Sequence, residues 1–177
     1  MEIEAKFRLT TEQFHAIQET IGQPDRTVQE WDTYFHTPEP GTSLRVRRQH
    51  DLVTLDRVAW ITLKGGRNEV GGIMAIDEVE PEIPYEMATV FEKMFPMVGL
   101  ATDLLVAKTR RMYNYQGATL VLDTVEGLGY FAEVEIISDD ASMAMAKLGK
   151  IVLELGFDKL EKAAGSYRWM MQQGAAT

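Results

Sequence analysis

The stretch Glu2-Ile3-Glu4-Ala5-Lys6-Phe7-Arg8-Leu9 alternates without a break. Successive side chains of a strand point to opposite faces, so Ile3, Ala5, Phe7 and Leu9 fall on one side and Glu2, Glu4, Lys6 and Arg8 on the other. The segment reads as a strand with one apolar and one ionic surface.

The same spacing returns along the chain: Arg45 with Arg47, Lys64, Glu78 with Glu80, Lys108 with Arg110, Asp123, and Glu133 with Glu135. Period-two spacing sets both members of a pair on one side of their strand, while Leu44, Val46, Ile61, Leu63, Leu120, Leu122, Val134 and Ile136 occupy the opposite faces. A half-buried strand ordinarily carries charges on its wet face, so any single pair is unremarkable. The recurrence of both signs, in pairs, over so many strands calls for a further reason.

The segments between supply the other elements. Thr10 and Gln13 have capping-box spacing, and Phe14, Ile17 and Ile21 repeat at helical intervals up to Gly22. Val28 to Phe35, Leu44 to Gln49 and Val58 to Leu63 read as strands, followed by a glycine-rich mobile connection or lid over residues 65–72 and a fifth strand from Met74 to Ile83. A helix from Tyr85 to Phe95 should stop at Pro96, which lacks an amide. Strands follow at Leu104 to Tyr115, Thr119 to Thr124 and Tyr130 to Ile137. Asp139 and Asp140 open a helix reaching Gly156, and a last helix spans Lys159 to about Gln173.

Amphipathic helices need an apolar surface, and the apolar face of the sheet provides one. If the sheet curls with its helices outside, the ionic face lines a lumen. Facing charges of both signs there suit a polyanion and a divalent cation: guanidinium and ammonium groups match phosphate oxygens, and carboxylates supply the oxygens that Mg²⁺ or Mn²⁺ prefers.

Composition narrows the function classes. The net charge of −9 disfavours nucleic acid or an anionic membrane as the main partner. Without cysteine there is no disulfide, thiolate metal site or cysteine nucleophile. The charged N-terminus lacks a signal-peptide pattern and no apolar run suffices to cross a bilayer, so a single domain over residues 1–177, in the cytoplasm, is expected.

These residues resemble the CYTH, or triphosphate tunnel, superfamily. The resemblance rests on Glu2-Ile3-Glu4-Ala5-Lys6, Leu44-Arg45-Val46-Arg47, Thr62-Leu63-Lys64-Gly65, Lys108-Thr109-Arg110 and a closing segment at Ser166-Tyr167-Arg168. The stretch from Leu122-Asp123-Thr124 through Gly127-Leu128-Gly129 to Glu133-Val134-Glu135 is similar to class IV adenylate cyclases. The resemblance implies an α+β fold: a closed eight-stranded antiparallel β-barrel with helices packed outside. It implies Glu2, Glu4, Asp123, Glu133 and Glu135 as ligands of Mg²⁺ or Mn²⁺. Lys6, Arg45, Arg47, Lys64, Lys108 and Arg110 become ligands of ATP or another triphosphate. The candidate catalytic carboxylates are Glu133, Glu135, Asp123, Glu78 and Glu80, and a homodimer is also implied.

Three activities fit that reading: cyclisation of ATP to cyclic AMP and pyrophosphate, placed first; hydrolysis of tripolyphosphate, thiamine triphosphate or a nucleoside triphosphate; and binding without turnover. Arg8, Arg48, Arg111 and Glu82 are read as ordinary surface charges, because two break phase and two lie at strand ends. His15, His36 and His50 are read as surface histidines, and Tyr34, Trp60 and Tyr167 as packing residues.

Overall fold

The structure is a computed structural model that describes residues 2–70 and 73–174, with the side chains of residues 2 and 66–78 outside the described set. In chain order the elements are β1 (Glu2–Leu9), α1 (Thr11–Ile21), β2 (Arg26–Phe35), β3 (Ser43–Asp51), β4 (Arg57–Val70), β5 (Ile73–Val79), β6 (Glu82–Ile83) and α2 (Tyr85–Met97). Then come β7 (Thr102–Tyr115), β8 (Ala118–Val125), β9 (Gly129–Ile137), α3 (Ala141–Glu154), a 3₁₀ turn (Phe157–Lys159), β10 (Glu161–Lys162) and α4 (Tyr167–Gly174). The chain divides into two compact units, residues 1–28 with 108–177, and residues 29–107.

In the first unit the strands run in the order β10, β1, β9, β8, β7, and the registered pairs are antiparallel. Thr10 caps α1 as its spacing predicts: its hydroxyl accepts from the Gln13 amide while the Gln13 side chain accepts from the Thr10 amide. Asp140 caps α3 through the Met143 amide. Phe7, Leu9, Leu120, Leu122, Ala132, Val134 and Ile136 form the strand side of a core closed by Phe14 of α1 and by Ala144 and Ile151 of α3. Each large side chain buried there contributes about 1.5–3 kcal/mol. A one-residue slip of β1 would turn Glu4 and Lys6 into this core, so the apolar side fixes the register and thereby the ionic side.

In the second unit the order is β2, β3, β4, β5, with β6 also on β4. Helix α2 lays Ala88, Phe91 and Phe95 on Phe35, Leu44, Val46 and Ala59, and the rings of Phe35 and Phe95 meet edge to face at 5.1 Å. Among the described residues, no helix is long and apolar enough to cross a membrane.

Several expectations are corrected. Antiparallel strands with helices are found, but ten strands occur among the described residues rather than eight. A closed barrel requires two neighbours for every strand. The described pairing in the first unit instead ends at β10, a two-residue strand on β1, and that in the second ends at β5. The expected fifth strand is split at Pro81, which has no amide to donate, and β6 rejoins β4 beyond it. Residues 65–70, expected in a mobile connection, continue β4 with a register shift between Gly65 and Asn68; residues 71 and 72 lie outside the described residues.

Pro96 does not end α2, which runs to Met97. The stop is Gly99, at φ 90°, beyond which the Leu100 amide turns back to the Phe95 carbonyl at 3.0 Å. The expected last helix breaks into the 3₁₀ turn, β10 and α4, because Leu160 is extended and the next two residues pair with Phe7 and Arg8.

Candidate functional site

In the first unit β1, β9, β8 and β7 turn a common ionic face away from the apolar core. Register sets Glu4 opposite Glu135, Lys6 opposite Glu133, and Arg110 opposite Asp123. Arg110 clamps Asp123 with Nε 3.0 Å from Oδ1 and one terminal nitrogen 2.7 Å from Oδ2. That nitrogen also donates to Glu133 Oε2 at 2.8 Å, and the other reaches Glu135 Oε1 at 3.4 Å. Lys6 Nζ lies 3.0 Å from Glu133 Oε1 and 3.8 Å from Glu4.

Tyr167, the first residue of α4, enters the same group. Its hydroxyl lies 2.7 Å from Glu133 Oε1 and 2.9 Å from Asp123 Oδ2. The ammonium groups of Lys6 and Lys108 stand 4.5 Å and 5.6 Å from its ring centroid.

Burial opposes ionisation of Glu133, but the charges of Arg110 and Lys6 overcome it and hold the carboxyl far below its ordinary range. Burial likewise opposes the charged form of Lys6, while Glu133 and Glu4 outweigh it and raise its pKa. For Tyr167, burial and the two neighbouring carboxylates act together and push the phenol far above its usual value, so it remains protonated.

Oxygens of Glu4, Glu133 and Glu135 all lie within 4.8 Å of one another. Three carboxylates of graded exposure, with the Glu4 side chain 49%, Glu135 14% and Glu133 2% accessible, form a hard-oxygen donor set open on one side. The donor set therefore fits a divalent ion such as Mg²⁺ or Mn²⁺.

The second unit carries its own buried ionic group. Arg47 grips Asp32 through two bonds of 2.6 and 2.8 Å and lies 3.5 Å from Glu30. Arg45 lies 3.6 Å from Asp32 and donates to Thr62 at 3.2 Å and to Glu80 at 3.1 Å; Thr62 in turn donates to Glu80. Gln49 donates to Glu30 at 2.7 Å. Lys64 stands on β4 opposite Ser43 and Glu78.

Of the residues expected in the site, Glu4, Lys6, Lys108, Arg110, Asp123, Glu133 and Glu135 meet in the first unit, and Arg45, Arg47 and Glu80 meet in the second. The side chains of Glu2 and Glu78 lie outside the described residues. Arg48 instead pairs with Glu92 of α2 at 2.9 Å, and Arg111 stands over Phe14 at 5.5 Å, both half-buried against helices rather than ordinary surface charges. Sequence reasoning missed Glu30 and Asp32, whose spacing of two is the signal that marked the other pairs. It also treated Tyr167 as packing, although its ring and hydroxyl join four charged residues.

The CYTH domain family profile matches residues 1–167 of the chain. Adenylate cyclase CyaB of Aeromonas hydrophila is 27% identical over 184 residues, spanning 97% of this chain and 89% of that protein. Among solved structures, the PH1819 protein of Pyrococcus horikoshii OT3 superposes with a TM-score of 0.78 at 26% identity, covering 98% and 99% of the two chains. HpAC1 from Hippeastrum, in which a triphosphatase activity is dominant, superposes with a TM-score of 0.71 at 20% identity, covering 98% and 96%. That last likeness is one of fold.

Proposed function

The chain belongs to the CYTH domain family, and on that premise we propose that it is a cytoplasmic, metal-dependent enzyme acting on a triphosphate, with cyclisation of ATP as its reaction. The observation that carries this reading is the meeting of Glu4, Glu133 and Glu135 within 4.8 Å on the same strand face as Lys6 and Arg110.

Glu4, Glu133 and Glu135, with Glu2 and Asp123, are the residues that would hold Mg²⁺ or Mn²⁺. A bound divalent ion supplies charge neutralisation at the phosphates and polarisation of a phosphoryl oxygen. Lys6, Lys108 and Arg110 are proposed as phosphate ligands, and Arg45, Arg47 and Lys64 as further ones.

Arg110 is held among three carboxylates, so an arriving triphosphate exchanges with acids for its donors without reorienting the guanidinium. The 3′-oxygen of ribose then bonds to the α-phosphorus as the bond to the bridging oxygen breaks, releasing pyrophosphate. The 3′-hydroxyl proton leaves to a base. What these residues contribute is position and charge.

Water attack on the terminal phosphorus of the same bound triphosphate is the second reading. It is favoured by the dominant triphosphatase activity of the Hippeastrum protein. The test is product analysis with ATP and with tripolyphosphate, each with Mg²⁺ or Mn²⁺. Cyclic AMP with equimolar pyrophosphate supports cyclisation. Orthophosphate from tripolyphosphate without cyclic AMP replaces it with hydrolysis.

A further inference from the structure

We infer that Tyr167 is the positioning residue of this metal and triphosphate site: its hydroxyl sets the carboxylates of Glu133 and Asp123, and its ring face sets the ammonium groups of Lys6 and Lys108. The inference deepens the proposed function and rests on its placement of metal and phosphate in the first unit.

The hydroxyl is buried and meets Glu133 Oε1 at 2.7 Å and Asp123 Oδ2 at 2.9 Å. A phenol has one hydrogen, so it donates to one carboxylate at a time and can turn from one to the other without moving the ring. Both acids keep Arg110 as a common partner, through Glu133 Oε2 and both oxygens of Asp123, so either orientation leaves each carboxylate held by the guanidinium. Glu133 would be among the residues holding a cation, and rotation about the phenolic C–O bond would then let the hydroxyl donate to Asp123 instead. The ring stays fixed because Phe131 packs against it edge-on at 4.9 Å.

Lys6 at 4.5 Å and Lys108 at 5.6 Å lie within cation–π range of that ring. One side chain therefore touches two acids and two bases of the group at once.

The local chain is built to deliver it. Ser166 accepts from the Trp169 amide at 3.2 Å and its carbonyl accepts from the Met170 amide at 3.0 Å, opening α4 at Tyr167. Gly165 makes room for Trp169, since a Cβ there would stand 3.2 Å from the indole. Buried Met170, one turn on, anchors the helix.

The test compares wild type, Tyr167→Phe and Tyr167→Leu in the full chain. Mn²⁺ binding is titrated by electron paramagnetic resonance and tripolyphosphate binding by calorimetry. Tyr167→Phe keeps the ring and should weaken Mn²⁺ binding about tenfold, the usual scale for losing a partner of a metal ligand, while tripolyphosphate affinity stays within about twofold. Tyr167→Leu should weaken both, tripolyphosphate by about fivefold, the scale of an exposed to partly buried cation–π contact.

Unchanged Mn²⁺ binding in Tyr167→Phe overturns the inference, as does unchanged tripolyphosphate affinity in a folded Tyr167→Leu. If Tyr167→Leu fails to fold, the Mn²⁺ titration of Tyr167→Phe decides alone. A wild type that binds both probes but turns over neither ATP nor tripolyphosphate removes the proposed reaction and leaves these titrations to judge Tyr167. A wild type that binds neither overturns both.

Discussion

Lys6 and Glu133 stand directly opposite each other across β1 and β9, with Nζ 3.0 Å from Oε1. Glu133 is buried and Lys6 half-buried, and Glu133 also holds half-buried Arg110, so this carboxylate balances two partly shielded cations. Removing it takes a close partner from each, leaving Arg110 to Asp123 and Glu135 and Lys6 to Glu4, whereas the amide of glutamine keeps one acceptor. Glu133→Ala should therefore lose about 3 kcal/mol of stability in urea unfolding, the scale for breaking a buried ion pair. Glu133→Gln should lose clearly less, and both should lose turnover.

Acid should destabilise the fold through the same carboxyl. Its pKa in the folded chain lies far below the ordinary 4.5. The stability it contributes is thus present above about pH 4.5 and is lost progressively as pH falls below that value toward the folded pKa. Melting temperatures measured from pH 6 to pH 3 should fall steeply in wild type and less in Glu133→Gln. Lys6, whose pKa is raised above 10.5, contributes stability below about pH 10.5 that is lost at higher pH.

In the second unit Arg47 meets Asp32 through two parallel bonds, a geometry an ammonium cannot copy. Arg47→Lys should raise KM for the triphosphate severalfold, and Asp32→Ala should destabilise by about 3 kcal/mol because it removes the buried carboxylate that holds Arg47 through two bonds. Steady-state kinetics and urea unfolding check the two effects.

Chelation should abolish turnover while leaving the strands paired, since both cores are apolar and separate from the donor set. Activity lost in excess chelator should return with Mn²⁺ or Mg²⁺. The far-ultraviolet dichroism should stay unchanged throughout.

The alternation in β1, β3, β8 and β9 was legible because a charge cannot enter an apolar core, so period two alone assigns each residue its face. The same rule placed Arg48 and Arg111 correctly outside the ionic set. Glu30 and Asp32 escaped because Val28, Trp31 and Tyr34 made β2 read as an aromatic strand, though their spacing was in plain view. Gly65 suggested a turn, but its role is close approach: a Cβ would stand 3.2 Å from Thr42 Cγ2.

Pro96 drew attention from Gly99, the residue whose φ of 90° actually ends α2. The contribution of Tyr167 was beyond any local pattern, because its partners lie 34 and 44 residues away. The strand count also depended on pairing at β10 and β6, where two residues leave too short a pattern for alternation to register.

The proposed function requires a divalent ion held by Glu4, Glu133 and Glu135. Anomalous diffraction from crystals soaked with Mn²⁺ and tripolyphosphate locates that ion directly. The expected result is a manganese peak bonded to oxygens of these three carboxylates, with phosphate density against Lys6 and Arg110. Manganese bound elsewhere, or phosphate away from those two cations, would contradict it.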